Sequence, residues 1–230
     1  MSTDEKTGIQ ALERAAPTKP MHPGGASQAG KTERQEYEYV RHGTQCLIAN
    51  CEIATGQQLA PSLGATRTEQ DFVAHIARTV ATAPDDRWIF ITDQLNIHQS
   101  ASLVQWVALT IGEAGDLGEK GKSGILQSMP TRAEFLSCTA HRIHFVYTPK
   151  PCSWLKQIEM WFSILVRRLL KRASFTSTDD LRQRILEFMA YFNATLAKPF
   201  KWTYTGRPLT VSLGETLLTR STSNCGFLKN

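Results

Sequence analysis

Three carboxylates stand where chemistry could be done: Asp4, Asp93 and Glu159. Asp93 directly follows Trp88-Ile89-Phe90-Ile91-Thr92, a run with the β-branched and aromatic character of a buried strand. A carboxylate at the end of such a strand is not needed for folding. Asp4 follows a lead-in that allows a short, frayed first strand at most. Glu159 falls on a helix-patterned segment after the last strand-like run, about 100° round the helix from Ile158 and so at the rim of the apolar face. Three converging carboxylates repel one another unless cations neutralise them. Hard oxygen donors suit Mg²⁺ or Mn²⁺. Two such ions roughly 3.5–4 Å apart can drive an in-line phosphodiester displacement. Each acid alone has a plainer reading: a loop acid or helix N-cap at 93, a terminal acid at 4, an exposed helix acid paired with Lys156 or Ser163 at 159. The triple, in this element order, is what points to phosphoryl chemistry.

The elements that must carry these residues are legible as patterns. Residues 15–36 are rich in Pro, Gly and small polar residues and read as a loop. The next segment alternates, with Leu47, Ala49, Cys51 and Ile53 on one face and a turn signal at Ala54-Thr55-Gly56, which predicts a β-hairpin. Thr68-Glu69-Gln70-Asp71 has the form of a capping box with an acid in the usual Glu position. Phe72, Val73, Ile76, Ala77 and Val80 then recur at helical spacing. A strand over 87–92 and a helix over 99–111, stopped by Gly112, follow. The glycine-rich stretch 112–130 is expected to be an insertion loop, and 141–149 a strand ended by Pro149. Ser153 is expected to cap a helix of about 18 residues, with Ile158, Phe162, Leu165 and Leu169 as its apolar stripe. Ser177 with Asp180 opens a last long helix ending before Pro199. This order predicts a mixed α/β layer arrangement, with sites beyond the carboxyl ends of strands.

Charge separates the halves of the chain. Residues 150–208 hold 11 Lys/Arg and 4 Asp/Glu, a net +7 against +5 for the whole, so the remainder sums to −2. A concentrated basic region favours a polyanion such as nucleic acid. "KPFKWTYTGR", residues 198–207, interleaves cations with aromatics and is a candidate DNA contact, whereas Trp161 and Phe162 read as core. No apolar run is long enough for a membrane span and no signal peptide opens the chain, so a cytoplasmic protein is expected. Cys46, Cys51, Cys138, Cys152 and Cys225 are scattered without a C-x-x-C pair and are expected to be reduced thiols. His141 and His144 with Cys138 and Cys152 fit no common zinc spacing. His98 is expected to cap or brace the helix that follows it, a place near the scissile phosphate being the alternative.

The blocks "DEKTGIQALER", "YEYVRHGT", "ITDQLNIHQS", "HRIHFVYTPKPCSWLKQIEMWFSILVRRLLKRASFTSTDDLRQRI" and "NATLAKPFKWTYTGRPL" together resemble the DDE transposases of bacterial insertion sequences, the mariner-like group. The resemblance covers roughly residues 2–209 and implies one catalytic domain over 1–209, with 112–130 as its variable insertion and 210–230 as a weakly structured tail. It implies a ribonuclease-H-like fold, a mixed sheet flanked by helices. It implies DNA cleavage at element ends and strand transfer, dependent on Mg²⁺ or Mn²⁺, with two ions expected. Carried over by position, Asp4 on the first strand, Asp93 on the fourth and Glu159 on the helix after the fifth would be the catalytic, metal-binding triad. Lys150, Lys156, Arg167, Arg168, Lys171, Arg172, Lys201 and Arg207 would bind DNA phosphates. DNA and a second copy of the chain are the expected partners; a membrane or a small-molecule substrate is not. Gln94, Pro151 and Lys156 depart from the Asn, His and Asn usual in that family. Lys156, three residues before Glu159 and on nearly the same helix face, can pair with Glu159 and compete with a metal. The chain begins at the first acid, so an N-terminally truncated copy lacking the helix-turn-helix region is expected. The alternative function is a catalytically inactive DNA-binding remnant with the same fold; a nuclease acting on RNA–DNA hybrids is a third reading.

Overall fold

The computed structural model describes residues 1–16, 19–24, 29–32, 34, 38–113, 115–149 and 156–201. Five strands form one sheet: β1 (Ser2–Arg14), β2 (Tyr39–Cys51), β3 (Gln58–Gly64), β4 (Trp88–Thr92) and β5 (Ile143–Tyr147), in the order β3-β2-β1-β4-β5. β3, β2 and β1 pair antiparallel, and β4 runs parallel to both β1 and β5. Among the described residues five α-helices flank it: α1 (Glu69–Val80), α2 (Ala101–Ile111), α3 (Met129–Leu136), α4 (Gln157–Leu165) and α5 (Thr178–Thr195).

The sheet is covered on both faces, and the strand period decides which residue faces which layer. Ile9, Ala11, Leu47 and Ala49 pack with Ile158, Trp161, Phe162 and Leu165 of α4 and with Leu181, Ile185 and Met189 of α5. Ile48, one residue out of phase, packs on the opposite face with Phe90, Ile143 and Phe145 against Phe72 and Ile76 of α1 and Leu103 and Val107 of α2. The buried run Cys46–Cys51 is thus a strand clothed on both sides. The hairpin turn lies where its Gly was, with Gly56 at φ 77, although Ile53 falls in the turn rather than on the strand.

Local signals set the helix ends. Thr68 and Asp71 form a reciprocal capping box on α1. Ser100 accepts from the Leu103 N–H at the start of α2, and Gly112 ends that helix in the left-handed conformation (φ 77). Ser177 accepts from the Asp180 N–H at the start of α5.

Four expectations need correction. β1 is a 13-residue strand in the middle of the sheet, not a frayed lead-in, and Asp4 lies within it. Its pairing with β2 runs from Ser2↔Cys51 to Arg14↔Tyr39, with two register shifts. The polar composition hid it, because pairing with β2 along its length rather than its own propensity holds it extended. The insertion loop stops early: Ser128 and Thr131 form a capping box that opens α3, and Leu126 is buried. Buried Arg132 in α3 fastens this segment, its Nε donating to Gln99 O at 2.7 Å and its Nη1 to Leu126 O at 3.0 Å. The helix expected from Ser153 has Lys156 as its N-cap, and α4 runs on into a π-helical turn, Val166–Leu170; Ser153 itself lies outside the described residues. Cys138 is disulfide-bonded rather than a reduced thiol, to a partner outside the described residues, while Cys46 and Cys51 are free and buried.

Within 15–36, expected to be a loop, two isolated antiparallel bridges join Lys19 to Arg34 and His22 to Lys31. Among the described residues no helix is long and apolar enough to cross a membrane.

Candidate active site

Alternation along β1 sends two neighbouring acids to opposite faces. Asp4 lies opposite Ala49, whose side faces α4, and Glu5 lies opposite Ile48, whose side faces α1 and α2. Asp93 is the first residue beyond β4, the strand next to β1, where Ser2 is in register with Ile91. The first turn of α4 docks on the same strand, the Ile158 N–H donating to Ser2 Oγ at 3.3 Å. Glu159, in that turn, is thereby carried to Asp4. The carboxyl end of β4, beside β1, thus gathers Asp4, Asp93 and Glu159, the three acids singled out by sequence.

What lies between them is Lys156. It is 1% exposed, and its Nζ is 2.6 Å from Asp4 Oδ2 and 3.2 Å from Asp93 Oδ2. Burial alone would push its pKa down, but the hydrogen bond and charge of Asp4, then those of Asp93, raise it above the ordinary lysine value. The expected Lys156–Glu159 pairing gives way to this bridge. Glu159 instead is pushed up, first by burial and then by a hydrogen bond with Asp4 and the charge of Asp4.

Asp93 is fixed from its other side. Its Oδ1 lies 2.8 Å from His98 Nδ1 and accepts from the Leu95 N–H at 3.0 Å. Burial works to raise its pKa, yet the hydrogen bond and charge of His98, followed by the charge of Lys156, hold the carboxyl far below the usual range. His98 Nε2 lies 2.8 Å from Glu5 Oε1, with both side chains all but inaccessible to solvent. Burial works against the imidazolium, but Asp93 and Glu5 outweigh it and push His98 up to about 9. Both ring nitrogens therefore donate. His98 does not cap α2, which Ser100 does; it locks Asp93 to Glu5, and Arg67 lies 3.9 Å from the other Glu5 oxygen.

A chain of alternating charge thus crosses the sheet: Arg67, Glu5, His98, Asp93, Lys156 and Asp4. Sequence reasoning missed Glu5 and the link from His98 to it. The signal available was the adjacent Asp4-Glu5 pair, which a strand must split between its faces.

The donors are of the kind a hard divalent ion takes, but the arrangement does not fit a two-ion centre. The space between Asp4 and Asp93 holds an ammonium, and Asp93 Oδ1 is engaged by His98 and Leu95. Of the expected phosphate-binding cations, buried Lys156 faces the carboxylates rather than solvent. Arg167, Arg168, Lys171 and Arg172 are exposed where α4 ends, and Lys201 is exposed further on. Arg167 also lines, with Lys6, Glu159, Phe162, Ser163 and Val166, a groove of about 380 Å³ beside the acids. Lys150, Pro151 and Arg207 lie outside the described residues. Gln94 ties the ends of β4 and β5 together, its Nε2 donating to Thr148 O at 3.2 Å.

No curated protein and no solved structure matches the chain. A family model does, that of the DDE superfamily endonucleases, over residues 13–182. The matched span includes Asp93, Lys156 and Glu159 and begins after Asp4, whose membership of the cluster rests on the geometry of β1. The five-stranded mixed sheet between helices is the ribonuclease-H-like α/β arrangement of that family. With the acids gathered in one place and most of its length within the match, the chain belongs to the DDE superfamily endonucleases.

Proposed function

We propose that this chain is the catalytic domain of an insertion-sequence transposase of the mariner-like group, acting on DNA. The observation that carries the reading is the convergence of Asp4, Asp93 and Glu159 from β1, the end of β4 and α4 beside an exposed cationic stripe. The reaction is phosphodiester cleavage at an element end by water, then attack of the freed 3′-hydroxyl on a phosphorus of the target. In this reading the three acids face the reacting phosphate, and Arg167, Arg168, Lys171, Arg172 and Lys201 hold backbone phosphates without reading sequence. DDE endonucleases in general use divalent ions; Mg²⁺ or Mn²⁺ is the cofactor for which these acids are the candidate ligands, and no step is assigned to it while Lys156 bridges two of them. Cytoplasmic location and pairing of two copies on two element ends belong to the same reading.

The buried Lys156 bridge favours a second reading, a DNA-binding remnant without chemistry. A nicking assay on end-labelled duplex DNA and on an RNA–DNA hybrid, with Mn²⁺ or Mg²⁺, separates them. The transposase reading expects metal-dependent nicking of the DNA duplex that Asp93→Asn abolishes. Salt-dependent DNA binding without nicking establishes the remnant, and cleavage confined to the hybrid, or no DNA binding, overturns both.

A further inference from the structure

We propose that Lys156 is the resident cation of the carboxylate centre, so that a divalent ion enters only by displacing it. The inference rests on the reading of Asp4, Asp93 and Glu159 as the reacting centre and adds how that centre is held closed.

Three observations carry it. The Nζ bridges Asp4 Oδ2 at 2.6 Å and Asp93 Oδ2 at 3.2 Å, so the ammonium stands where one ion shared by these two oxygens would stand. The side chain is fully removed from solvent, which an ammonium tolerates only when paired. Lys156 is also the N-cap of α4 and gives that helix no side-chain hydrogen bond. Ser, Thr, Asp or Asn would serve a helix start better, so the lysine is explained by the acids and not by the helix. Charge leaves no room for both cations. Asp93 already answers His98 and Lys156, and Asp4 answers Lys156, so an added divalent ion would face a buried ammonium across a few ångströms.

The prediction is a metal affinity that rises when the lysine is neutralised. Mn²⁺ is titrated calorimetrically, without DNA, into wild type, Asp93→Asn, Lys156→Met and Lys156→Met/Asp93→Asn. Thermal unfolding is followed with Mn²⁺ and with chelator. Methionine keeps the stem and removes the charge. The expected result is a wild-type Kd weaker than about 1 mM and a Kd at least roughly tenfold tighter in Lys156→Met. That gain should vanish in the double variant, and Mn²⁺ should raise the unfolding temperature of Lys156→Met but not of wild type.

Micromolar Mn²⁺ binding by wild type that Asp93→Asn abolishes overturns the proposal. So does a folded Lys156→Met with no gain in affinity. Should Lys156→Met fail to fold in chelator, folding restored by Mn²⁺ supports the proposal. If it stays unfolded with Mn²⁺, the wild-type titration against Asp93→Asn decides alone. The transposase reading fails separately, in the DNA-binding and nicking assays, because the titration contains no nucleic acid.

Discussion

Individual side chains at this centre depend on one another because each is buried and charged. Glu5 and His98 have side-chain exposures of 1% and 0% and sit 2.8 Å apart, so removing either leaves a buried polar atom of the other without this partner. Breaking a buried pair typically costs about 3–5 kcal/mol, whereas replacing both partners together is far milder. His98→Ala should therefore destabilise the fold by roughly that amount, and Glu5→Gln/His98→Ala by clearly less than the sum of the single changes. Urea unfolding of the three variants gives the cycle; additive losses would mean that the 2.8 Å contact carries no coupling. The same substitution should also weaken whatever Asp93 does, since His98 and Leu95 together fix its Oδ1.

At the scale of elements, α1 is bound to the hairpin by a polar seam rather than by apolar packing alone. Thr3 Oγ1 donates to Asn50 Oδ1 at 2.6 Å, and Asn50 Nδ2 donates to Thr79 Oγ1 at 2.7 Å, joining β1, β2 and α1. Nearby, His75 of α1 meets Ser62 of β3 at 2.6 Å (Nδ1 to Oγ), and Arg78 also bonds that hydroxyl. Burial, then the charge of Arg78, pushes His75 down to about 3. A histidine depressed in the folded state binds its proton first in the unfolded chain. Its stability contribution is complete above the ordinary value of 6.5 and is lost as pH falls from there towards 3. Between pH 6.5 and 4.5 the wild type should lose roughly 2 kcal/mol more than His75→Gln does. Urea midpoints across that window measure it; parallel curves for the two proteins would show that His75 takes up its proton as readily in the folded state as in the unfolded chain.

For the whole molecule, part of the basic surplus of the C-terminal part follows the helix that carries Glu159, and Arg167 lines a groove with that acid. Arg167, Arg168, Lys171 and Arg172 line the exposed end of α4 and its π turn, and Glu159 opens the same helix. A backbone that follows the stripe would pass the acids. Arg168→Ala and Lys171→Ala should each weaken duplex binding about equally for all sequences, and each should lower the salt slope by about 1. Fluorescence anisotropy between low and physiological salt reads both. An unchanged slope would place the DNA elsewhere.

Much of the architecture was determined by sequence alone, because its signals are local. Alternation with a glycine turn specified β2 and β3, the Thr68 and Ser177 caps specified α1 and α5, and the apolar run ending at Asp93 specified β4. The three acids were legible as candidates from their place in the element order. The tertiary structure decided which groups meet them. β1 is a full-length strand because β2 pairs along it, and central because β4 joins it at Ser2; its polar residues carry no such message by themselves. Lys156 reaches across to Asp4 and Asp93, and His98 to Glu5, over separations in sequence that no periodic pattern spans. A repeat of two or 3.6 residues tells which face a side chain takes. Which charge waits on that face is set by strand register and helix docking, and here those placed a lysine between two aspartates.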